Sequence, residues 1–334
     1  MKGLKYLKQY RWSDMAEMLR NGKAVQRRSE ASLAGKLAVI TGATSGVGLA
    51  VARRFARSGA DLVLVCRDRA KAEVLAASLG SGMDIKAGVL VADFSDLSSV
   101  RRAAGELASS YPSIDILVNN AGTFSTTRKL TAEGRELVYC VDHLASFLLT
   151  VKLLPTLLAR PRARILQVNS QGHRFGGLDP DDLDWTRRRL GYSGFRSYGA
   201  AKTAQLLTVW ELADLLRGTG VTINAVHPGA VRSDIGKDNG PLYRWYSRVI
   251  VQPGLADPAE AGEAIHWLAA DPSLEGVSGR YFDLTMPEKP APHALDRGLG
   301  RAILGSSLAL CGLSPSDLPE PHHGLGPTKE MRDD

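Results

Sequence analysis

The stretch that decides the fold is KLAVITGATSGVG, residues 36–48. An apolar, β-branched run ends at Thr41, and a glycine-rich turn then leads into a helix-length amphipathic segment. Small residues at such a turn let the backbone approach a pyrophosphate at the helix N-terminus, where unpaired N–H groups favour anions. This position between strand and helix favours dinucleotide binding over a purely structural turn. The residues predicted to face the cofactor here are Gly42, Thr44, Ser45, Gly46, Val47 and Gly48.

Further short apolar runs follow the first strand and alternate with helix-length segments such as 48–58 and 197–216. This alternation is typical of βα units and of a parallel sheet covered on both faces. The sequence therefore predicts an α/β fold with a doubly wound, seven-stranded parallel sheet, helices on both faces and a single domain. The predicted strands are 36–41, 61–66, 86–92, 114–119, 164–169, 221–226 and 280–284.

The composition is that of a soluble globular chain, with 334 residues, 44% hydrophobic and 23% charged. The net charge is +7, but the first 30 residues hold eight basic and three acidic side chains, so the remainder carries only about +2. This distribution argues against a nucleic-acid-binding core. We expect a basic arm over 1–34, a dinucleotide-binding and catalytic domain over 35–287, and a C-terminal extension over 288–334. The extension holds a predicted short helix at 299–313, which packs back on the body, and a disordered end.

The spacing of apolar and basic residues in the arm predicts a loosely amphipathic helix over residues 1–19. This helix could rest on an anionic membrane surface or serve as a solvated or subunit-docking arm. No stretch reaches the roughly 18 to 20 apolar residues of a spanning helix, and no secretory segment is apparent. A cytoplasmic protein with peripheral membrane contact fits this pattern. Cys66, Cys140 and Cys311 lie far apart without metal-ligand spacing. They are therefore expected to be buried thiols, and no metal site is predicted.

The second strand ends in Cys66, and Arg67 follows where a reader of the adenosine ribose is expected. An arginine suits a 2′-phosphate, so NADP(H) is favoured and NAD(H) remains open, because Asp68 could meet a ribose hydroxyl instead. Asp93, past the third strand, is a candidate acceptor for the adenine amino group or a helix cap. The run NNAG ends the fourth strand, where ligands of doubly wound sheets collect. It contributes Asn119, Ala121 and Gly122 to the predicted site.

Tyr198 and Lys202 form YGAAK, and on a helix this spacing puts both side chains on one face. A tyrosine is a poor acid–base group at neutral pH unless a neighbouring cation stabilises its phenolate, and Lys202 would supply that cation. Ser170 ends the fifth strand and could hold a substrate oxygen while hydride moves to or from the adjacent carbon. We expect these three residues to form the catalytic centre.

The order of these motifs resembles that of the short-chain dehydrogenase/reductase family over residues 35–287, a Rossmann-like fold. The segments CRDRAKAE, VDHLASFLLT and VHPGAVRSDI look most like retinol dehydrogenase-type members. The resemblance implies Tyr198 as proton donor or acceptor, Lys202 as its tuner and ribose ligand, and Ser170 as ligand of the carbonyl oxygen. It also implies a clasp near the nicotinamide over 227–233, with Pro228, Gly229 and Val231. NADP(H)-linked chemistry on hydrophobic alcohols and aldehydes follows, as does a homo-oligomer.

One residue departs from the family pattern. Relatives commonly read VNHLG, whereas this chain has Asp142 in the place of the asparagine, which is thought to hold a water in a proton relay to the lysine. An ionised Asp142 accepts hydrogen bonds but cannot donate them, and its charge would shift the proton balance near Lys202. Two interpretations remain: an intact enzyme that tolerates the change, or a catalytically weakened dinucleotide-binding protein with a regulatory or scaffold role.

Two variable segments are expected to choose the small-molecule substrate. The first lies between Ser170 and Tyr198, and its aromatic side chains could line an apolar pocket or pin the loop to the core. These are Phe175, Trp185, Tyr192 and Phe195. The second, 233–255, carries Tyr243, Trp245 and Tyr246 and would form a lid. Neither segment names a substrate.

Overall fold

Eight strands form one sheet in the order β3-β2-β1-β4-β5-β6-β7-β8. This computed structural model describes residues 11–22, 24–232, 235–236, 239–240 and 255–320. Strands β1 to β7 pair in parallel, and β8 pairs antiparallel with β7. The strands are β1 Leu37–Thr41, β2 Asp61–Cys66, β3 Ala87–Val91, β4 Ile116–Asn119, β5 Arg164–Val168, β6 Thr222–His227, β7 Tyr281–Asp283 and β8 Met286–Pro287.

The doubly wound α/β architecture is confirmed, and all seven predicted parallel strands are present. The sheet has an eighth strand that the prediction lacked. Strand β8 is only two residues long and includes Pro287, so it carries neither the alternation nor the length by which a strand is recognised. Proline is tolerated there because β8 is an edge strand.

Helices cover both faces of the sheet because successive strand residues point to opposite sides. In β1, Val39 belongs to the core cluster beneath one layer of helices and Ile40 to the cluster beneath the other. The helices are α1 Trp12–Asn21, α2 Gly46–Arg57, α3 Arg69–Gly80, α4 Leu97–Ser110, α5 Leu137–Leu158, α6 Gly194–Leu215, α7 Pro258–Ala270 and α8 Arg297–Leu310. Helix α2 packs against α7, α4 against α5, and α8 against α6.

Helix α5 contains one π-helical turn over Cys140–Leu144, where the Ala145 N–H donates to the carbonyl oxygen of Cys140, five residues earlier. Its 22 residues are long and apolar enough to cross a membrane, and the sequence-based statement that no stretch reaches that length is therefore wrong. Most of the helix is buried inside the protein. Its apolar character is explained by this central position in the core.

Both terminal segments pack onto the body where they are described. Residues 1–10 of the predicted amphipathic helix lie outside the described residues, and α1 covers the remainder. The Asn21 amide donates to the carbonyl oxygen of Pro287 (3.3 Å), and the Arg27 N–H donates to the Thr285 hydroxyl (2.9 Å). Helix α8 confirms the predicted helix of the C-terminal segment, with Ser307 on α8 bonded to His143 on α5 (2.7 Å). The predicted disordered end falls mainly on residues 321–334, outside the described residues.

Candidate active site

A cavity of about 590 Å³ opens at the carboxyl ends of the parallel strands. It extends from the loops after β1 and β2 to the loops after β5 and β6, as expected for a doubly wound sheet. Most of the residues predicted from the sequence line it. They are Gly42, Thr44, Ser45, Gly46, Val47, Arg67, Asp93, Ala121, Gly122, Ser170, Tyr198, Lys202, Pro228, Gly229 and Val231.

The glycine turn after β1 is shaped to receive an anion. Gly42 and Gly46 have φ angles of +67° and +53°, a region in which glycine alone is free of strain. Helix α2 begins at Gly46, and the Ser45 side chain makes no capping hydrogen bond. The N–H groups of the first turn therefore face the cavity without a side-chain acceptor from the N-cap, which fits a pyrophosphate.

Gly48 is predicted to face the cofactor, but the structure places it behind the turn rather than on the cavity wall. A Cβ atom at Gly48 would clash with the carbonyl oxygen of Gly42 and lie 2.5 Å from Nδ2 of Asn120. The third glycine thus permits close packing of α2 against its own turn.

Asn119 was also predicted in the cavity, and its side chain instead turns into the core, where its amide donates to the Thr150 hydroxyl (2.7 Å). The next residue, Asn120, lines the cavity, and sequence reasoning missed it. Its amide donates to the carbonyl oxygen of Thr41 (2.9 Å), while its N–H donates to the Thr41 hydroxyl (2.9 Å). Asn120 therefore holds the glycine turn against the end of β4. The two adjacent asparagines could be told apart only by the alternation of β4, since Asn119 is its last residue.

At the far end of the cavity, Arg67 and Lys71 lie together with Asp68. Asp68 caps helix α3 by accepting from the Lys71 N–H (3.1 Å) and pairs with the Lys71 ammonium (3.0 Å). These hydrogen bonds lower the pKa of the Asp68 carboxyl. Asp93 accepts from the Ser95 N–H (2.9 Å) and so orders the turn beside the cavity, while Asp96 is the cap of α4.

Tyr198 and Lys202 lie on one face of α6, with the Lys202 ammonium 5.5 Å from the centre of the Tyr198 ring. Lys202 donates to the carbonyl oxygen of Val168 (3.1 Å) and is 4% exposed. Burial raises the pKa of Tyr198, whereas the Lys202 charge and a hydrogen bond with Ser170 lower it. The structure thus brings together Ser170, Tyr198 and Lys202.

The turn after Ser170 is fitted closely against Tyr198. The Gly172 N–H donates to the Ser170 hydroxyl oxygen (3.0 Å), and a Cβ at Gly172 would lie 2.6 Å from Cε1 of Tyr198. Sequence reasoning missed Gly172, although its position two residues after the serine was a usable signal. Arg174 and Gln171 both donate to one oxygen of Glu288 (2.7 Å each), which anchors this turn to the segment after β8.

Asp142 lies in the π-helical turn of α5, beneath the cavity wall, and is fully buried. One carboxylate oxygen accepts from the Thr123 N–H (2.7 Å), and the other lies 3.5 Å from the Lys202 ammonium. Burial raises the pKa of Asp142 to about 6 against the opposing effect of Lys202. The amide of Gln205 donates to the Asp142 carbonyl oxygen and fixes the turn to α6.

The aromatic side chains between Ser170 and Tyr198 divide into two groups. Trp185 is buried and packs edge-on against Tyr192, with their ring centres 5.3 Å apart, so this pair pins the loop. Phe175 and Phe195 are 52% and 62% exposed and lie 5.5 Å apart. Phe124, which sequence reasoning missed, joins Phe195 (5.4 Å) to the Tyr198 ring (6.0 Å). A row of phenyl rings thus runs from Tyr198 to the surface.

The segment after β6 closes the other side of the cavity. Gly229 has a φ of +81°, and Val231 forms a bridge with Ala256. Burial lowers the pKa of His227, which lines the cavity, to about 4, so its ring is neutral. Most of the predicted lid, including Tyr243, Trp245 and Tyr246, lies outside the described residues.

Comparison with known proteins decides the family. Residues 36–178 match the short chain dehydrogenase family, and residues 183–283 match a family described as Enoyl-(Acyl carrier protein) reductase. Retinol dehydrogenase 13 of Homo sapiens is 35% identical over 297 residues, which cover 87% of this chain and 89% of the relative. The chain belongs to the short-chain dehydrogenase family. Retinol dehydrogenase 14 of Mus musculus is 37% identical over 292 residues, 84% of this chain and 86% of the relative.

A solved structure supports the same assignment. The crystal structure of 3-ketoacyl-(acyl-carrier-protein) reductase from Brucella melitensis, complexed with NADH, has a TM-score of 0.57 and 29% identity, covering 75% of this chain and 97% of that one. The protein is thus an NAD(P)-dependent oxidoreductase acting on CH–OH donors, and its retinol dehydrogenase-like character is confirmed.

In this short-chain dehydrogenase the cavity has three functional parts. The glycine turn fits a dinucleotide, and the Ser170–Tyr198–Lys202 group can hold an oxygen and move a proton. Phe124, the member of the phenyl row that lines the cavity, offers an apolar surface next to Tyr198. A substrate whose oxygen lies at Tyr198 is positioned by a binding surface close to that residue. Phe124, with its ring 6.0 Å from that of Tyr198, supplies such a surface.

Proposed function

We propose that the protein is an NADP(H)-preferring oxidoreductase that interconverts a hydrophobic alcohol and its aldehyde or ketone, with Tyr198 as acid and base. The observation that carries the proposal is that Ser170, Tyr198 and Lys202 line the same cavity as the glycine turn. The same three residue types at one strand end and one helix face supply an oxygen ligand, a proton and a cation.

The chemistry divides between cofactor and protein. When bound, the nicotinamide supplies or accepts the hydride, which carries two electrons to or from the substrate carbon. In reduction, the Ser170 hydroxyl donates to the carbonyl oxygen and Tyr198 transfers its proton to that oxygen, so an alcohol forms. In oxidation, the Tyr198 phenolate takes the hydroxyl proton. Lys202 stabilises that phenolate by its charge.

Preference for NADP(H) is supported by the arginine at the adenosine end. Arg67 lines the cavity, and the charge of the neighbouring Asp68 is held by the helix cap and by Lys71. Replacing Arg67 with Ala should raise the KM for NADPH at least tenfold and leave the KM for NADH nearly unchanged. Arg69, an exposed neighbour paired with Glu73, is the matched control. Equal effects of Arg67→Ala on both cofactors would refute the assignment.

A hydrophobic substrate is supported by the phenyl row of Phe124, Phe195 and Phe175 and by the names of the retinol dehydrogenase relatives. Phe195→Ala should lower kcat/KM progressively more for aldehydes of increasing chain length, because only a long tail reaches the outer rings. Leu190→Ala, at a 99% exposed position in the same loop, is the control. If the loss in kcat/KM did not depend on chain length, the substrate tail would not bind along the phenyl row.

Turnover itself is tested with purified protein, NADPH and a panel of hydrophobic aldehydes. Consumption of NADPH that depends on the aldehyde supports the enzyme. Tight NADPH binding without turnover on any carbonyl would favour the alternative, a dinucleotide-binding protein with weakened catalysis.

We also propose peripheral membrane contact through the N-terminal arm on the cytoplasmic side. Helix α1 leaves Trp12 and Leu19 exposed at 85% and 60% beside basic residues. The protein should then sediment with anionic vesicles but not with neutral ones, and Trp12→Ala should weaken this binding more than Val25→Ala, a 93% exposed position outside the helix. Equal binding by both variants would contradict the role of α1.

A homo-oligomer remains part of the proposal, in keeping with the family resemblance. Light scattering on the purified protein measures it directly, and a monomer at micromolar concentration would contradict it.

A further inference from the structure

The place of Asp142 suggests a role that a neutral side chain could not fill. The Lys202 ammonium lies 3.5 Å from the Asp142 carboxylate and 5.5 Å from the centre of the Tyr198 ring, so the one cation is close to both groups. Asp142 is fully buried and Lys202 is 4% exposed, so water screens their charges poorly. When Tyr198 is protonated, the charges of Asp142 and Lys202 cancel. When Tyr198 is ionised, two negative groups share one cation.

We propose that Asp142 is a positioning residue that acts through Lys202 to keep Tyr198 protonated up to a higher pH than a neutral residue would, which extends carbonyl reduction into the alkaline range. The inference rests on the proposed function of Tyr198 as acid and base. In this proposal Asp142 sets the pH range in which the reaction proceeds, whereas Ser170, Tyr198 and Lys202 carry out the chemical step.

The surrounding charges support this direction. Burial raises the pKa of Asp142 to about 6, with Glu136 adding to this effect and Lys202 opposing it, so the carboxyl is ionised at neutral pH. Asp142 in turn raises the pKa of Tyr198, against the lowering effect of Lys202. His143, the next residue in the turn, has a pKa lowered to about 3 by burial and by Lys202, and it is therefore neutral.

The hydrogen bonds of Asp142 make the test a conservative one. In Asp142→Asn, the side-chain oxygen can still accept from the Thr123 N–H, and the Gln205 amide still reaches the backbone carbonyl of the turn. The substitution therefore removes the charge and the ion pair with Lys202 and keeps these two hydrogen bonds. Asp115→Asn is the matched control, because Asp115 is also buried and paired with a lysine, Lys36 (3.1 Å), next to the first residue of β4 rather than at the carboxyl end.

The experiment measures the pH dependence of kcat/KM in both directions. In Asp142→Asn, the alkaline limb for carbonyl reduction and the rising limb for alcohol oxidation should both move to lower pH by about one unit. Asp115→Asn should leave both limbs in place. Limbs of Asp142→Asn that coincide with those of the wild type would overturn the inference.

A second readout needs no turnover. The ionisation of Tyr198 is followed by ultraviolet difference absorbance in the cofactor-free protein, with Tyr198→Phe in each background to identify its signal. Asp142→Asn should lower the pH at which this signal appears by about one unit. This shift without turnover would support the charge effect while refuting the proposed function, and an unchanged signal would overturn the inference. If Asp142→Asn does not fold, Asp142→Ser supplies the neutral side chain for both measurements.

Discussion

The two ends of the cavity are built by different means. At the cofactor end, backbone groups and small residues set the shape, as where the Thr41 hydroxyl accepts from the N–H groups of Asn120 and Ala121 (2.9 Å each). At the catalytic end, buried side chains hold one another, and Asn169 donates to both the Lys202 carbonyl oxygen and the Gln205 side chain (2.9 Å each). The first end should therefore be sensitive to added volume and the second to altered charge or to the loss of a single polar atom.

The largest effect should come from removing one oxygen at the catalytic end. Tyr198→Phe keeps the ring and its contact with Phe124, and we expect kcat/KM to fall by about 10²- to 10⁴-fold, because proton transfer to the substrate oxygen is lost. NADPH affinity, measured by fluorescence titration, should change little. A loss in kcat/KM below tenfold would mean that this end, too, works mainly by shape.

At the cofactor end, adding a single methyl group should be enough to reduce both stability and NADPH binding. Gly48→Ala places a Cβ against the Gly42 carbonyl and the Asn120 amide, so we expect a loss of about 1–3 kcal/mol in unfolding free energy and weakened NADPH binding. Gly105→Ala is the control: it adds the same methyl in α4, where nothing lies within 4 Å, and should stabilise the protein by about 0.5–1 kcal/mol. Denaturant titration measures both. Similar stabilities for the two variants would break the distinction between the ends.

Gly172 tests whether shape also matters at the catalytic end. A Cβ there would press on the Tyr198 ring, so Gly172→Ala should lower kcat by about tenfold or more through misplacement of Tyr198, with a smaller change in KM for NADPH. Steady-state kinetics with both substrates measures the split. Wild-type kcat in Gly172→Ala would confine steric sensitivity to the cofactor end.

The smallest expected effect concerns Asp283 in β7, whose pKa is raised to about 7 by burial and by Glu288. The folded protein therefore binds a proton that the unfolded chain releases, so Asp283 reduces stability as pH rises from about 4 to about 7. Asp283→Asn should raise Tm by about 2–4 °C at pH 8, an effect of about 1 kcal/mol after screening by water, and by much less at pH 4. Thermal unfolding at several pH values checks this, and an equal shift at both extremes would exclude a proton-linked cause.

Most residues of the glycine-turn end could be placed on the cavity from the sequence because that end depends on local order. The position of each residue there follows from its neighbours in sequence: the glycines lie between a strand and a helix, and the arginine follows the second strand. Most of these residues line the cavity. The choice between Asn119 and Asn120 as the residue that lines the cavity was less accurate. The two are chemically identical, and they differ only in the direction of the side chain at the end of β4.

The sequence predicts that Ser170, Tyr198 and Lys202 lie together, and they line one cavity, but it does not predict the contacts that support them. The contact between Asp142 and Lys202 joins two helices 60 residues apart in sequence, and nothing local specifies the 3.5 Å between them. The C-terminal segment, which is rich in Pro, Gly and His, has a composition that predicts an extension rather than part of the core. In the fold, Glu288 anchors the catalytic turn and Ser307 bonds to His143 inside the core.

The π-helical turn of α5 makes the active site depend on residue number as well as residue type. Each residue of a regular α-helix advances the chain by about 100° around the axis, and a π turn holds one residue more than an α turn. Deleting Val141, the one residue between Cys140 and Asp142, would remove the extra residue of the π turn and leave Ser170, Tyr198 and Lys202 in the chain. It would also rotate the part of α5 before the deletion by about 100° against the part that holds Asp142. The side chains of the two parts could then no longer both face their present neighbours.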